Sequence, residues 1–335
     1  GSVGNHVIIG GLGSDTIAMT GGQNIIVGDN AEMVFSHGAL ESIRSLDPEL
    51  GGNDTIDSGT SSDILLGGAG IDTIDAGSDV SRDIVVGDNG LALFDTSTGR
   101  SLLTRIETSD PEHGSGDFIF ASDGDDVVLG GSGADFIDAG TDAGRDVVLG
   151  DNGLALFDAD TVNDVSVLRQ IETADVDFGG VDTIFARNGD DVVLGGSGGD
   201  LIDAGIDTGR DIVVGDQGQA LFDESGVLAQ IRTTVPGEGG DDNILVGDGD
   251  DVVLGGIGVD YISIDRATSV AVGVDSGDDV FVGDNGLALF DTSTGRSLLT
   301  RIETSNPEHG SGDFIFASDG GDVVLGGSGE DFIDA

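Results

Sequence analysis

An aspartate returns every nine residues along this chain, behind a cluster of glycines and just ahead of a large apolar residue. Over residues 112–158 the nonamers read EHGSGDFIF, ASDGDDVVL, GGSGADFID, two extra residues, TDAGRDVVL and GDNGLALFD. The sixth position of the first four is Asp117, Asp126, Asp135 and Asp146. The same frame gives Asp54, Asp63, Asp72 and Asp83 over 49–95, and Asp182, Asp191, Asp200 and Asp211 over 177–223. It gives Asp242, Asp251, Asp260 and Asp279 over 237–291, and Asp313, Asp322 and Asp331 in the last stretch. A carboxylate repeated at the edge of an apolar column is too costly to leave unpaired, so the pattern calls for a cation. Calcium suits the demand. It takes about six to eight oxygens from carboxylates and backbone carbonyls, at about 2.3–2.6 Å. Short aspartates and open glycine loops supply both kinds of oxygen. Magnesium prefers to keep its waters, and the soft ligands for zinc or copper are missing. No stretch has the acidic spacing and closing glutamate of an EF-hand loop.

The elements that must hold these aspartates follow from the nonamer itself. Glycines at positions 1, 2 and 4 allow a tight turn. Positions 7 to 9 carry β-branched and large apolar residues, which suit a very short strand. Side chains alternate along a strand, so position 8 faces a core, as Ile119, Val128, Ile137 and Val148 do in the second full unit. Gly-Gly-x-Gly-x-Asp begins at Gly10, Gly67, Gly130, Gly195, Gly255 and Gly326, which marks larger units. The units are 1–48 (partial and degraded), 49–111, 112–176, 177–236, 237–307 with a ten-residue insert at 264–273, and 308–335 (partial). Residues 88–124 and 284–320 differ only at Asp110 and Asn306. The chain thus reads as one continuous solenoid and as a slice of a longer array.

The fifth coil of each unit departs from the pattern. Its sixth position is Met33, Ala92, Ala155, Ala220 or Ala288, and it opens with Gly-Asp-Asn/Gln-Gly in the four full units. Asp88, Asp151, Asp216 and Asp284 in these turns, and Asp15 in the degraded first unit, are further metal candidates; an Asx turn entering a strand explains the four turns equally well. After the fifth coil comes an excursion of 12 to 18 residues with a shared core such as Leu102–Thr108, which reads as a β-hairpin. If the excursion supplies a sixth half-turn, each unit makes about three turns, and the stack is on the order of 75 Å long at ~4.8 Å per turn. In the first unit position 6 reads His6, Asp15, Asn24 and Met33, and poor calcium binding is expected there. Arg82, Arg145 and Arg210 precede the fourth-coil aspartates and are expected to make exposed ion pairs of about 0–1 kcal/mol.

Composition narrows the function. The 335 residues hold 64 acids, 53 of them aspartate, against 12 arginines and no lysine, for a net charge of −52. Such a polyanion does not hold nucleic acid or an anionic membrane by charge. A Walker-type loop needs a lysine, and disulfides, Cys-ligated zinc and iron–sulfur clusters need cysteine, of which there is none. No apolar run approaches a spanning helix. High charge argues for disorder, but the acids are spaced rather than blocked and apolar residues recur in tight triplets. No catalytic residue is identified. Acid pairs such as Asp125-Asp126 recur as Asp190-Asp191 and Asp250-Asp251, whereas an enzyme needs no acid pair in every repeat. His113 and His309 lie in turns with no nucleophile or base pattern beside them.

The nonamer Gly-Gly-x-Gly-x-Asp-x-(large apolar)-x, repeated in one frame along nearly all of the chain, resembles the RTX (repeats-in-toxin, haemolysin-type) calcium-binding repeat of large bacterial secreted and surface adhesins. The resemblance implies an all-β fold, a right-handed parallel β-roll or β-solenoid, here with a protruding hairpin per unit. It implies calcium between turns, bridging nonamers two apart: Asp54 with Asp72, Asp63 with Asp83, Asp117 with Asp135, Asp126 with Asp146, Asp182 with Asp200, Asp191 with Asp211, Asp242 with Asp260, Asp251 with Asp279, and Asp313 with Asp331. Roughly 10–15 ions of this kind would bind. Proteins that look like this leave the cell by type I secretion and fold in extracellular calcium. The function expected is a calcium-dependent extender or stalk of an extracellular or cell-surface protein. Two alternatives stand beside it: a self-assembling or ligand-binding surface on the hairpin side, and the folding and secretion module of a toxin or enzyme. No nucleic-acid partner and no membrane insertion are expected.

Overall fold

Strands of three residues hold too few hydrogen bonds to stand alone, and in this chain they are stabilised by stacking. The computed structural model describes residues 4–163, 165–265, 270–271 and 277–335. The second full unit shows the path. Phe118–Phe120 and Phe136–Asp138 lie side by side in one parallel sheet, with Ile119 opposite Ile137. Val127–Gly131 and Val147–Asp151, which alternate with them in sequence, lie side by side in another, with Val128 opposite Val148. The next unit continues both stacks: Phe136 pairs with Thr183 and Val147 with Val192. Among the described residues each parallel sheet has 11 strands.

The two parallel sheets face each other over a column of fully buried side chains that includes Ile119, Val128, Ile137, Val148, Ile184 and Val193. The strands differ in their outer faces. Thr73–Asp75 and Phe118–Phe120 are exposed, buried, exposed in turn, as a sheet with one wet face requires. Val127, Val128 and Leu129 are all fully buried, so the sheet they belong to is covered on both sides.

The cover is a third sheet, antiparallel and 10-stranded among the described residues. Each fifth coil runs up as one strand and the following segment returns as its partner. Gly90–Asp95 pairs with Leu102–Thr108, and Gly153–Asp160 with Val165–Thr173. Hairpins of successive units also pair with each other, Ile106 opposite Ala155 and Ile171 opposite Ala220. Their inner side chains, Ala92, Phe94, Leu103 and Ile106 in one unit, share a second core with Val86, Leu129 and Leu149.

This arrangement corrects three expectations. Each full unit contributes two strands to each parallel sheet and therefore makes two turns, not three. The fifth coil leaves the stack because its alternating Leu-Ala-Leu-Phe pattern buries Ala and Phe against one sheet only. Eleven strands at ~4.8 Å spacing make the stack about 50 Å long, not 75 Å. The hairpins do not protrude; they lie down over the first sheet and are joined edge to edge. Of the insert at 264–273, Ile264–Asp265 pairs antiparallel with Val270–Ala271, and residues 266–269 and 272–273 lie outside the described residues.

Arginines tie one unit to the next. The guanidinium carbons of Arg82, Arg145 and Arg210 lie 5.2, 5.6 and 5.7 Å from the ring centroids of Phe157, Phe222 and Phe290. Each ring belongs to the hairpin of the following unit. Burial lowers the pKa of all three arginines. They are thus partly desolvated cation–π contacts, a stronger class than the exposed ion pairs expected.

Candidate metal centre

Stacking of equivalent turns brings the repeated aspartates into two unbroken files, one along each edge of the parallel sheets. In one file the backbone N–H of each residue donates to Oδ1 of the next: Asp15 to Asp54, Asp54 to Asp72, Asp72 to Asp117 and Asp117 to Asp135, at 2.6–2.7 Å. It continues through Asp182, Asp200, Asp242, Asp260, Asp313 and Asp331. The other file runs from Asn24 through Asp63, Asp83, Asp126, Asp146, Asp191, Asp211, Asp251, Asp279 and Asp322. All nine pairs implied by the resemblance are neighbours in these files. The files are also continuous across unit boundaries, as between Asp83 and Asp126, 2.7 Å N to O.

From Asp54 and Asp63 onward, each aspartate of the files uses one carboxylate oxygen on the backbone. The other is a different matter. Oδ2 of Asp54, Asp63, Asp72, Asp117, Asp126, Asp135, Asp182, Asp191, Asp200, Asp242, Asp260 and Asp313 is buried and has no hydrogen-bond partner. Leaving so many buried oxygens unsatisfied is costly, and carboxylates are the costliest kind. Backbone carbonyls share the space. A Cβ built on Gly130 would overlap the carbonyl oxygen of Gly150 and lie 2.7 Å from Asp135 Oδ2. One built on Gly195 would overlap Gly215 O and lie 2.6 Å from Asp200 Oδ2. On the other edge, a Cβ on Gly189 would overlap Gly144 O and lie 3.1 Å from Asp191 Oδ1. Carboxylate and carbonyl oxygens therefore converge on small cradles at the turns, an all-oxygen donor set that fits calcium. Among the described residues no group of three or more His, Asp or Glu side chains forms a compact metal cluster, so carbonyls must complete any such site.

The electrostatics agree. Burial, opposed by the backbone hydrogen bonds, raises the pKa of Asp72 to about 8, Asp83 to about 9, Asp126 to about 8 and Asp146 to about 9. Asp117 is raised to about 10 by burial and then by the charges of Asp88 and Asp72. Asp135, Asp182, Asp200, Asp242 and Asp260 are pushed well above the usual range, again by burial first. A file of aspartates in this state holds either protons or a compensating cation.

The Gly-Asp-Asn/Gln turns are built differently. Both oxygens of Asp88 accept backbone N–H groups, Oδ1 from Ser115 at 3.0 Å and Oδ2 from Ser132 at 2.5 Å. Asp151 accepts from Gly180 and Ser197, Asp216 from Gly240 and Ile257, and Asp284 from Ser311 and Ser328. Each carboxylate bridges the segment that returns from the hairpin and the neighbouring Gly-Gly-x-Gly turn. Asp29 holds the equivalent place in the first unit and accepts from Ala69 at 2.7 Å. Asp29 lies outside the sixth positions of the nonamer frame, and its Gly-Asp-Asn context is the signal that marks it. In that unit Asn24 stands in the file where an aspartate is usual. Its Nδ2 donates to the carbonyls of Gly22 at 2.7 Å and Ser58 at 3.0 Å, so an amide satisfies oxygens there.

Gly130→Ala tests the cradles. The added methyl overlaps a backbone carbonyl, which cannot swing away as a side chain can. Calcium affinity at that turn should fall at least tenfold, about 1.4 kcal/mol, by titration calorimetry. Gly99→Ala is the control. Nothing lies within 4 Å of its Cβ position, and only its left-handed backbone, at φ +80°, opposes the change. It should cost about 1 kcal/mol of stability and leave calcium binding alone.

Comparison with known protein families places these turns. The RTX calcium-binding nonapeptide repeat model (4 copies) matches residues 50–80, 114–145, 178–208, 236–263 and 310–335. Each match covers a Gly-Gly-x-Gly-x-Asp turn or the aspartates stacked beside it. No curated protein matches the chain. Repeats of this family take calcium as their cofactor, act as non-catalytic structural modules and work outside the cell or at its surface. These five segments, 148 of the 335 residues, identify the chain as one that carries RTX calcium-binding nonapeptide repeats.

Proposed function

We propose that calcium ions lie between successive turns along both edges of a closed, right-handed β-roll with two turns per unit, and that the roll is a calcium-conditional extender of a large secreted or surface protein. The right hand is the one parallel crossover connections take. The observation that carries the reading is the pair of files of stacked aspartates that accept a backbone N–H through Oδ1; in the file through Asp72 and Asp135 the second oxygen lies at a carbonyl cradle, and in the file through Asp126 and Asp191 it is Oδ1 that lies beside the glycine carbonyls. The file aspartates from Asp54 to Asp331 are the ligands, with Asp15 at the degraded end. Roughly 10–15 ions would fill the sites at the usual oxygen count. Asp88, Asp151, Asp216 and Asp284 are not ligands on this reading, because their oxygens already take backbone N–H groups.

Once bound, calcium supplies positive charge to oxygens that nothing else in the fold satisfies. The chain's own residues do the rest. The backbone N–H groups orient each carboxylate, the two cores exclude water behind it, and the glycines let carbonyls approach. The degraded first unit needs less, since Asn24 fills its carbonyls with an amide. Export through a type I system would keep the chain unfolded inside at low calcium and let it fold outside. An extender suits units that repeat one architecture.

The test is calcium stoichiometry in variants. Asp126→Ala should bind fewer ions than the parent chain, while Asp151→Ala should bind as many and lose stability, by about 2–3 kcal/mol for its charged hydrogen bonds. An unchanged count in the Asp126 variant would overturn the site assignment, and a reduced count in the Asp151 variant would return that residue to the ligands.

A further inference from the structure

The outer face of the hairpin sheet is unlike the rest of the molecule. On a chain with a net charge of −52, its central rows are charge-balanced. Arg44 pairs with Glu32 at 3.1 Å, Arg105 Nε with Glu107 at 2.9 Å and Arg301 with Glu303 at 2.5 Å. Where no such pair exists, Arg232 donates to Gln219 at 3.1 Å and Gln219 donates to Glu172 at 2.9 Å. The polar groups are thus partnered within the face, and covering it would strand few of them. Between them stand half-exposed leucines at fixed register. Leu91 lies opposite Glu107 and Leu93 opposite Arg105, Leu154 lies between Glu107 and Glu172, and Leu287 opposite Glu303. The first row is interrupted by Glu32 and Gln219, but the second returns as an apolar residue in every hairpin, as Val34, Leu93, Leu156, Leu221 and Leu289, because the hairpins are joined into one sheet.

We propose that this face is the docking surface for a second copy of the same chain, packed sheet against sheet. Three features select that occupant. A polyanionic rod meets another copy of itself at least electrostatic cost where its surface is neutral. The apolar row of Val34, Leu93, Leu156, Leu221 and Leu289 repeats at every second strand, about 9.6 Å, so an identical face offers gaps of matching period. The size is adequate: ten strands at ~4.8 Å by about five residues at ~3.4 Å give ~800 Å² per copy, the area a standard stable interface takes from each partner. The inference rests on the fold alone and not on which ion completes the turns.

Sedimentation velocity tests it, in a buffer where circular dichroism shows the β-fold. The chain should sediment as a dimer. Leu154→Arg with Leu156→Glu should sediment as a monomer with the same dichroism. Each new charge meets an opposite one inside its own sheet, Arg beside Glu107 and Glu172 and Glu beside Arg105, so the fold is kept while the apolar row is lost. A parent chain that stays monomeric at its highest soluble concentration overturns the proposal, and so does a variant that still dimerises. Leu156→Cys provides a second measurement. The chain has no cysteine, so one spin label reports on this face alone. Inter-copy coupling between labels is expected, and its absence in the folded chain overturns the proposal.

Discussion

Moved from millimolar calcium into chelator at neutral pH, the chain should lose most of its β-sheet dichroism and expand. The expectation follows from the two files. With the cation gone, Asp72, Asp83, Asp117, Asp126, Asp146 and their neighbours are buried carboxylates stacked on one another. Each costs several kcal/mol if ionised, against a total stability of about 5–15 kcal/mol for an ordinary domain. On the proposed reading calcium binds only the folded arrangement, because the cradles exist only when turns stack, and its binding free energy then becomes folding free energy by linkage. Magnesium at the same concentration should restore little, since it gives up its waters reluctantly and demands a tighter octahedron. A far-ultraviolet spectrum that is identical in chelator and in calcium would refute the mechanism.

Acid should replace calcium in part. In the metal-free fold the file aspartates have pKa values raised by burial, to about 8 for Asp72 and Asp126, about 9 for Asp83 and Asp146, and about 10 for Asp117 and Asp211. In the unfolded chain they titrate near the ordinary value of about 3.9. Between the two values the folded state binds more protons than the unfolded one, so metal-free stability falls as pH rises. The contribution is fully present below about pH 4 and is lost as pH rises through about 8–10. Metal-free chain should therefore hold more β-structure at pH 4–5 than at pH 8. Calcium reverses the trend, because it competes with protons for the same oxygens and its affinity rises with pH. Thermal melts across pH, with and without calcium, should give slopes of opposite sign. Parallel slopes would show that the file carboxylates neither bind the ion nor carry the raised values.

Much of the candidate site was legible beforehand. The nonamer frame named every member of both files from Asp54 to Asp331, and the implied pairs are neighbours in the stack. Position 6 also exposed the first unit as different, and Asn24 shows the chemistry of that difference. Other features escaped the frame. Continuity of the files across units, as from Asp72 to Asp117, depends on the chain returning to the same edge after each excursion, and nothing in the spacing states where it returns. Asp88 and Asp151 sit in the same glycine–aspartate context as the file aspartates. Only the N–H groups of Ser115, Ser132, Gly180 and Ser197, brought from other turns, distinguish them.

A signal for the third sheet did exist. The triplets alternate along the chain between Thr-Ile-Asp or Phe-Ile-Phe and Val-Val-Leu or Ile-Val-Val. An apolar, apolar, apolar strand is the mark of a sheet covered on both sides. The hairpins are that cover, and the arginines facing Phe157, Phe222 and Phe290 fasten each hairpin to the unit before it.

The amino-acid sequence by itself determined the period, the aspartates that stack in the two files and the oxygen chemistry that suits calcium, because turn, strand and carboxylate all recur within nine residues and need only local chemistry. Tertiary structure decided the number of turns, the length of the stack, the fate of the hairpins and the division of buried aspartates into those with an unpartnered oxygen and those whose two oxygens both take N–H groups. Those outcomes depend on which strand edges meet after excursions of a dozen or more residues. Ala92, Ala155, Ala220 and Ala288 fit a solenoid core and a hairpin's inner face equally well; the choice between them is made only when the whole face of a neighbouring sheet must be covered.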